Sequence, residues 1–403
     1  MSIMHPTSDI RGWRNPEMFL LLLTFAMSLS FATWLSLLNN FVIERAAFTG
    51  EEIGILHSLR EVPGFLAFTA VFLLLVIREQ SLALVSMGIM GLGVAVTGYF
   101  PTAIGLYCTT VLMSIGFHYY ETVQQSLALQ WFPQENSAKS LGKLVAGKSA
   151  AAVLAYGLIW LATTFFAVDY HWVYLITGVI SMGLVLFAAL AFPTFAQPHV
   201  QHKKIILRKR YWLYYALTFM GGARRQIFVV FAGFLMVEKF GYSVADVALL
   251  YLANHTLNAF LGTKIGAWIS RVGERVALRV EYIGLALIFT GYAFVESANV
   301  AAALYILDHV LFAMAIAMKT YFQKIADPKD ISATAAVSFS INHIAAVVIP
   351  AAFGLIWLVS PGLVFLLGAG MALISLLLAT NVPVAPTPEN ITHWRSSAQL
   401  QKT

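Results

Sequence analysis

The chain's 403 residues are 59% hydrophobic and only 11% charged, with a mean hydropathy of +0.77. A soluble protein of that length cannot bury so much apolar surface, so the class is a polytopic membrane protein. The net charge of +6 sits in particular short loops rather than on one soluble face, which excludes nucleic acid as a partner, and the lone Cys108 excludes an intramolecular disulfide or a cysteine-built metal centre.

Residues 1–16 are polar, carry Arg11 and Arg14, and read as a cytoplasmic N-terminal segment. The apolar run behind them continues through Leu38 to Val42, longer than the core of a cleaved signal, so it is read as a retained first span. Apolar runs between charged and Pro/Gly breaks predict about twelve helical spans. The first half of the chain holds them at roughly 17–43, 51–77, 81–99, 103–130, 139–165 and 172–193. The second half holds them at roughly 211–238, 244–268, 276–294, 300–325, 331–358 and 362–381. Residues 17–193 and 211–381 are therefore expected to form two six-helix bundles, joined by a basic cytoplasmic linker over 194–210 that carries Lys203, Lys204, Arg208, Lys209 and Arg210. The tail, 382–403, is Pro-rich and then polar; it reads as cytoplasmic and poorly ordered.

Basic residues set the orientation. Loops on the N-terminal side hold Arg78, Lys139, the linker, Arg271, Arg275, Arg279, Lys324 and Lys329, whereas the opposite loops hold little beyond Arg45 and Lys239. That bias puts both termini in the cytoplasm, and the minimal loops suggest a bacterial inner membrane. An internal repeat supports the division into halves. Ala155-Tyr-Gly-Leu-Ile-Trp-Leu161 returns as Ala352-Phe-Gly-Leu-Ile-Trp-Leu358, and Thr97-Gly-Tyr99 returns as Thr290-Gly-Tyr292 at nearly the same offset.

Between the eighth and ninth spans the chain reads Gly266-Ala-Trp-Ile-Ser270-Arg271-Val-Gly273-Glu274-Arg275-Val-Ala-Leu278. This resembles the signature loop of the major facilitator superfamily, Gly-x-Leu-Ala-Asp-Arg-x-Gly-Arg-Arg-x-x-Leu. The resemblance implies an all-α fold of twelve transmembrane helices in two halves, and a tight turn at Gly266, Ser270, Arg271, Gly273 and Arg275 that grips neighbouring helix ends in one conformation. Ser270 stands where the family has Asp, which removes the charged part of that grip, and the loop after the second span, Ile77-Arg78-Glu79-Gln80, has lost the pattern. The Gly-Pro-rich motif of the family's drug antiporters is missing from the fifth span, where Ala146-Gly-Lys148-Ser-Ala stands instead. Pro350 and Gly354 have the spacing of a hinge in the eleventh span, and equally of ordinary close packing between helices.

Polar residues inside apolar spans mark the candidate site, because a charge at bilayer depth is costly unless it meets water or a partner. Arg224 and Arg225 lie mid-way along the seventh span, and Lys148 in the fifth; a guanidinium pair with a lysine matches a carboxylate or phosphate. Lys264 and Lys319 lie nearer the span ends, where a lysine can snorkel. The family resemblance implies that spans one, four, seven and ten line the central cavity. The polar residues of those spans are Asn39 and Asn40; His118, Glu121, Gln124 and Gln125; the arginine pair; and Asp308 with His309. His118, Glu121 and Gln125, spaced i, i+3, i+7, share one helical face. Asn39, Asn40 and Gln125 are read as substrate contacts beside Arg224, Arg225 and Lys148. Glu121, Asp308, His118 and His309 are read as proton-coupling groups, each with a structural pair or hydrogen bond as the alternative role. Arg60 and Glu61, adjacent and about 100° apart on a helix, are expected to be paired, gate-forming residues.

Enzyme motifs are missing: no His-Glu-x-x-His, no Gly-x-Ser-x-Gly and no phosphate-binding Gly-rich Lys loop stands in the sequence. No cofactor or metal is expected. The reading is a secondary transporter for a small organic anion, working by alternating access and coupled to protons or another ion. Efflux of amphipathic compounds is the alternative, and a transporter-like receptor without turnover is the alternative of another class.

Overall fold

The computed structural model describes residues 12–132, 137–196, 207–327 and 331–393, and every regular element among them is helical. In chain order the first half contributes α1 (Pro16–Ala46), α2 (Gly50–Phe65), α3 (Ala70–Leu73), α4 (Glu79–Thr97), α5 (Ala103–Trp131), α6 (Ser137–Phe165) and α7 (Tyr170–Ala191). The second contributes α8 (Trp212–Gln226), α9 (Gly233–Glu238), α10 (Val244–Val272), α11 (Glu274–Phe294), α12 (Ala298–Phe312), α13 (Ile316–Ile325), α14 (Ile331–Val359) and α15 (Pro361–Ala379). Among the described residues nine helices are long and apolar enough to cross a membrane.

Local chemistry sets the helix starts. Asn15 accepts the Met18 amide at 2.9 Å ahead of Pro16, Thr102 accepts the Gly105 amide at 3.2 Å, Asp169 accepts the His171 amide at 3.1 Å, and Ser360 accepts the Leu363 amide at 3.3 Å ahead of Pro361. Each side-chain oxygen satisfies an amide that has no partner within its own helix. At the end of the first unit opposite the N-terminus, Asp169 also holds Arg45 at 2.8 Å and His171 Nδ1 at 2.7 Å. These contacts, the hydrogen bond from His171 first, keep its carboxyl below the usual Asp range.

Three expected spans are interrupted rather than continuous. The second carries Pro63, then a 3₁₀ turn over Leu66–Thr69 before α3. Proline removes a backbone donor and crowds the preceding turn, so the helix tightens there. The seventh passes through a π-helical segment, Ile227–Ala232, immediately after the arginine pair. The tenth passes through a 3₁₀ turn, Ala313–Ala315, just beyond Asp308 and His309.

Two compact units are present. The first comprises Met1–Ala47, Leu59–His202 and Ser243–Leu252; the second comprises Phe48–Ser58, Lys203–Tyr242 and Ala253–Thr403. The opening of α2 thus packs within the second unit and the opening of α10 within the first. In the first unit Tyr156 of α6 stacks on Tyr251 of α10, with ring centroids 5.2 Å apart. In the second unit α2 meets α14 along small residues: a Cβ at Gly54 would stand 2.3 Å from the Pro350 carbonyl, and one at Gly354 would stand 2.4 Å from the Gly50 carbonyl. Only glycine permits that approach, the small-residue packing familiar between membrane helices. Ser58 Oγ then accepts the Ala351 amide at 2.9 Å.

The tail corrects an expectation. Up to His393 it is not loose but folded back on the second unit, with Val382 fully buried and Ile391 7% exposed in the same apolar core as Tyr211, Leu278, Tyr321 and Phe322. Tyr321 donates its hydroxyl to the Ile391 carbonyl (2.7 Å), Arg210 donates to the Pro388 carbonyl (2.8 Å), and the His393 amide donates to the Asn381 carbonyl (3.0 Å). Polar composition argued for disorder, but two apolar residues in register with a core are enough to anchor so short a segment. Residues 394–403 and, in the linker, 197–206 lie outside the described residues.

Candidate functional site

In the second unit the adjacent arginines part company. Successive residues point about 100° apart on a helix, and here only one of the two enters the helix packing. Arg224 does: it is 1% exposed, its guanidinium carbon lies 4.2 Å from the centroid of the Tyr282 ring, and its Nε donates to the Met220 carbonyl at 3.2 Å. Arg225 is exposed and lies within electrostatic range of His309, as does His255. The expected two-arginine clamp is therefore not formed as a pair, and the helix phase is the reason. The π-helical segment begins two residues after Arg225, and such segments gather at functional sites.

Asp308 is fully buried on α12, and both of its carboxylate oxygens are buried without a hydrogen-bond partner. The charge of Arg224 acts on it and also on Glu281 of α11, which is 2% exposed with Oε2 unpartnered. Glu281 is missing from the sequence-derived set because it follows Arg275 and Arg279 so closely that it reads as part of the interface. Its place inside the span 276–294 was the signal that could have found it. His309 packs among rings, 5.2 Å from Phe228 and 5.9 Å from Tyr305.

In the first unit Arg60 and Glu61 face each other. Both are buried, Arg60 Nε donates to Glu61 Oε1 at 3.0 Å, and Nη2 reaches the same oxygen. The Arg60 guanidinium also lies 5.9 Å from the Trp34 ring centroid. His118 joins this pair rather than Glu121: its Nε2 lies 4.0 Å from Glu61 Oε2, and its Nδ1 lies 2.9 Å from Ser114 Oγ. Ser114 in turn donates to the Arg60 carbonyl. The expected face of His118, Glu121 and Gln125 is graded, with His118 buried, Glu121 half-buried and Gln125 exposed. Gln124 instead donates to Thr24 Oγ1 at 3.0 Å. Asn39 and Asn40 are 4% and 1% exposed, in the interior of the unit rather than on an open surface. Lys148 is exposed on α6, and its carbonyl accepts Ser28 Oγ at 2.6 Å.

The loop between α10 and α11 turns at Gly273, whose φ of +82° suits glycine. Ser270 donates to the Gly266 carbonyl at 3.0 Å, Arg271 is exposed, and Arg275 Nη1 lies 2.9 Å from His393 Nε2 in the folded-back tail. Glu274, 3% exposed, is held by Lys324 Nζ at 2.6 Å, an ion pair from α11 to the end of α13 that the motif alone does not indicate. Pro350 and Gly354 are buried where α2 and α14 touch, so their observed place is in close packing.

A family model for the Major Facilitator Superfamily matches residues 18–350. Against curated protein sequences the chain finds no match. Among solved structures it is similar to a point mutant of the nucleoside transporter NupG, at 15% identity and a TM-score of 0.75, covering 91% of this chain and 99% of that one. It is also similar to a bacterial homologue of the human lysosomal transporter Spinster (14% identity, TM-score 0.66, 90% and 94% covered). A POT family transporter in complex with 5-aminolevulinic acid is a third (11% identity, TM-score 0.72, 93% and 97% covered). At these identities the likeness shows the fold. With the family match over most of its length, helices long enough to span a bilayer and charged residues placed within them, the chain belongs to the major facilitator superfamily and is a multi-pass membrane transporter rather than an enzyme.

Proposed function

We propose that the protein is a proton-coupled secondary transporter of a small organic anion, a carboxylate or phosphate ester, working by alternating access in a bacterial inner membrane with both termini in the cytoplasm. The observation that carries this reading is Arg225: an exposed guanidinium in a long apolar span, next to a π-helical segment and within electrostatic range of His309. A guanidinium at that depth calls for water or an anion, and its planar fork matches a carboxylate or phosphate. Lys148, exposed on α6, is the second candidate cation. Arg224, enclosed against Tyr282, is a counter-ion to the acids of the second unit rather than a ligand. Asp308 is the foremost proton-coupling group, with Glu121 the candidate in the first unit. Arg60, Glu61 and His118 form a structural and gating network.

A thermal-shift screen of the detergent-purified protein tests this, with acetate, succinate, benzoate and glycerol phosphate set against the lipophilic cation tetraphenylphosphonium. Ligand at a hundredfold excess over its Kd raises apparent stability by about 2.7 kcal/mol. Stabilisation by an anion that is lost in Arg225→Gln supports the reading. Stabilisation by the lipophilic cation alone, unchanged in Arg225→Gln, refutes it in favour of efflux of amphipathic compounds.

A further inference from the structure

We propose that Glu281 and Asp308 share a single proton beside the Arg224 guanidinium, so that the interior of the second unit is a one-proton site with Glu281 as a previously unassigned member. Three groups from three helices lie within electrostatic range there: Arg224 of α8 at 1% exposure, Glu281 of α11 at 2% and Asp308 of α12 at 0%. Arg224 Nη1, Glu281 Oε2 and both oxygens of Asp308 are buried without hydrogen-bond partners. The arginine acts electrostatically on both acids, and Glu281 acts on Asp308.

With both acids ionised the cluster carries one net negative charge in a dry interior, where an uncompensated charge is strongly disfavoured. One added proton makes it neutral, and because Glu281 and Asp308 act on one another that proton belongs to the pair rather than to either residue. Among the described residues Arg224 is the cation that acts on these acids, while Arg279 of α11 acts on Arg275 of the same helix. Lys324 at the end of α13 is engaged by Glu274, and Lys319 on the same helix is exposed. Arg225 and His255 act on His309 instead. Glu238 of α9 accepts Trp357 Nε1 of α14 at 2.9 Å, α15 contributes no titratable side chain, and the remaining groups beside the acids are the hydroxyls of Tyr282 and Tyr292. His343, also on α14, lies with Nδ1 2.8 Å from the Phe339 carbonyl.

The arrangement ties the proton to movement. Neither carboxyl reaches solvent, so exchange with water requires the helices around α11 to shift. Arg224 and Arg225 are consecutive, so an anion drawn to the exposed arginine pulls on the same turn that holds the buried one. The use of this proton in transport rests on the proton-coupled reading above, whereas its presence rests on charge and burial alone.

Infrared spectroscopy of the full-length protein in lipid vesicles, following the C=O stretch of buried protonated carboxyls across pH and without substrate, tests the site. Wild type is expected to show one such band at neutral pH. Glu281→Gln and Asp308→Asn should each abolish it, because the remaining carboxylate balances Arg224. Arg224→Gln should make it about twice as strong, since both acids then take a proton. If the arginine variant does not fold, the two carboxamide variants decide. A band that persists in both overturns the proposal, and so does a wild-type protein that shows no such band at neutral pH. If the band behaves as expected but no anion stabilises the protein in the screen above, the proton site stands and the transport reading falls. If an anion stabilises it while both variants keep the band, this site alone is overturned.

Discussion

Gly354→Ala should destabilise the second unit, whereas Gly157→Ala, its counterpart in the repeated heptad, should not. At Gly354 a Cβ would stand 2.4 Å from the Gly50 carbonyl oxygen and 3.2 Å from Glu51 Cα, both backbone atoms that cannot swing aside. Ordinary contact begins at 3.4 Å, so the two helices must part by about 1 Å. Overpacking of that kind costs about 1–3 kcal/mol. Parting also strains the 2.9 Å hydrogen bond from the Ala351 amide to Ser58, worth about 1 kcal/mol. A total of about 2–4 kcal/mol lowers the Tm by roughly 4–16 °C for a unit of this size. At Gly157 no atom lies within 4 Å of the new methyl group, and alanine's better helix propensity leaves the change neutral or favourable by up to about 1 kcal/mol. Thermal unfolding of both variants in the same detergent reads the difference directly. Equal midpoints would show that the α2–α14 approach is not a tight seam, and the reasoning would fail.

Three other perturbations follow from the geometry. Lys324→Gln leaves Glu274 buried without its cation; because Lys324 is half exposed, the loss should be about 1–2 kcal/mol rather than the full cost of breaking a buried pair. Most of it should return in Lys324→Gln/Glu274→Gln, as chemical unfolding would show. Deleting residues 382–403 strips Val382 and Ile391 from the core, an upper loss of about 3–6 kcal/mol at roughly 1.5–3 for each side chain. Unchanged thermal stability in the deletion would mean that the tail is not docked. Asp169 has a carboxyl held lower in the folded protein than in the unfolded chain, so its contribution is present above the unfolded value near ~3.9 and fades as the pH falls through the lower folded one. Since the residue is partly exposed, Asp169→Asn should cost under about 1 kcal/mol at neutral pH, with the difference from wild type closing in acid. A gap that widens below pH ~3 would contradict the sign.

Much of the architecture is legible along the chain because hydropathy and loop charge are properties of single residues summed over a window. The membrane class, the helical spans, the signature loop with its Gly273 turn and the placing of Arg224, Arg225 and Asp308 inside apolar spans all come from such sums and motifs. The repeated heptad was legible too, but not that Gly354 meets a backbone while Gly157 meets open space. The tail was misread because its polar composition hides two apolar residues that lock into a core.

Tertiary structure alone decides which residues meet. A step of about 100° per residue sends Arg224 into the packing and leaves Arg225 outside. No composition window resolves that difference, since it depends on the rotational phase of the helix against its neighbours. The same phase turns Arg60 back upon Glu61, gives His118 to that pair rather than to Glu121, and brings Glu281 from an apparent interface position to the acids' shared counter-ion. Sequence states the cost of burying each charge, and packing in three dimensions states which charge offsets it, because partners far apart along the chain are selected by the register in which whole helices dock.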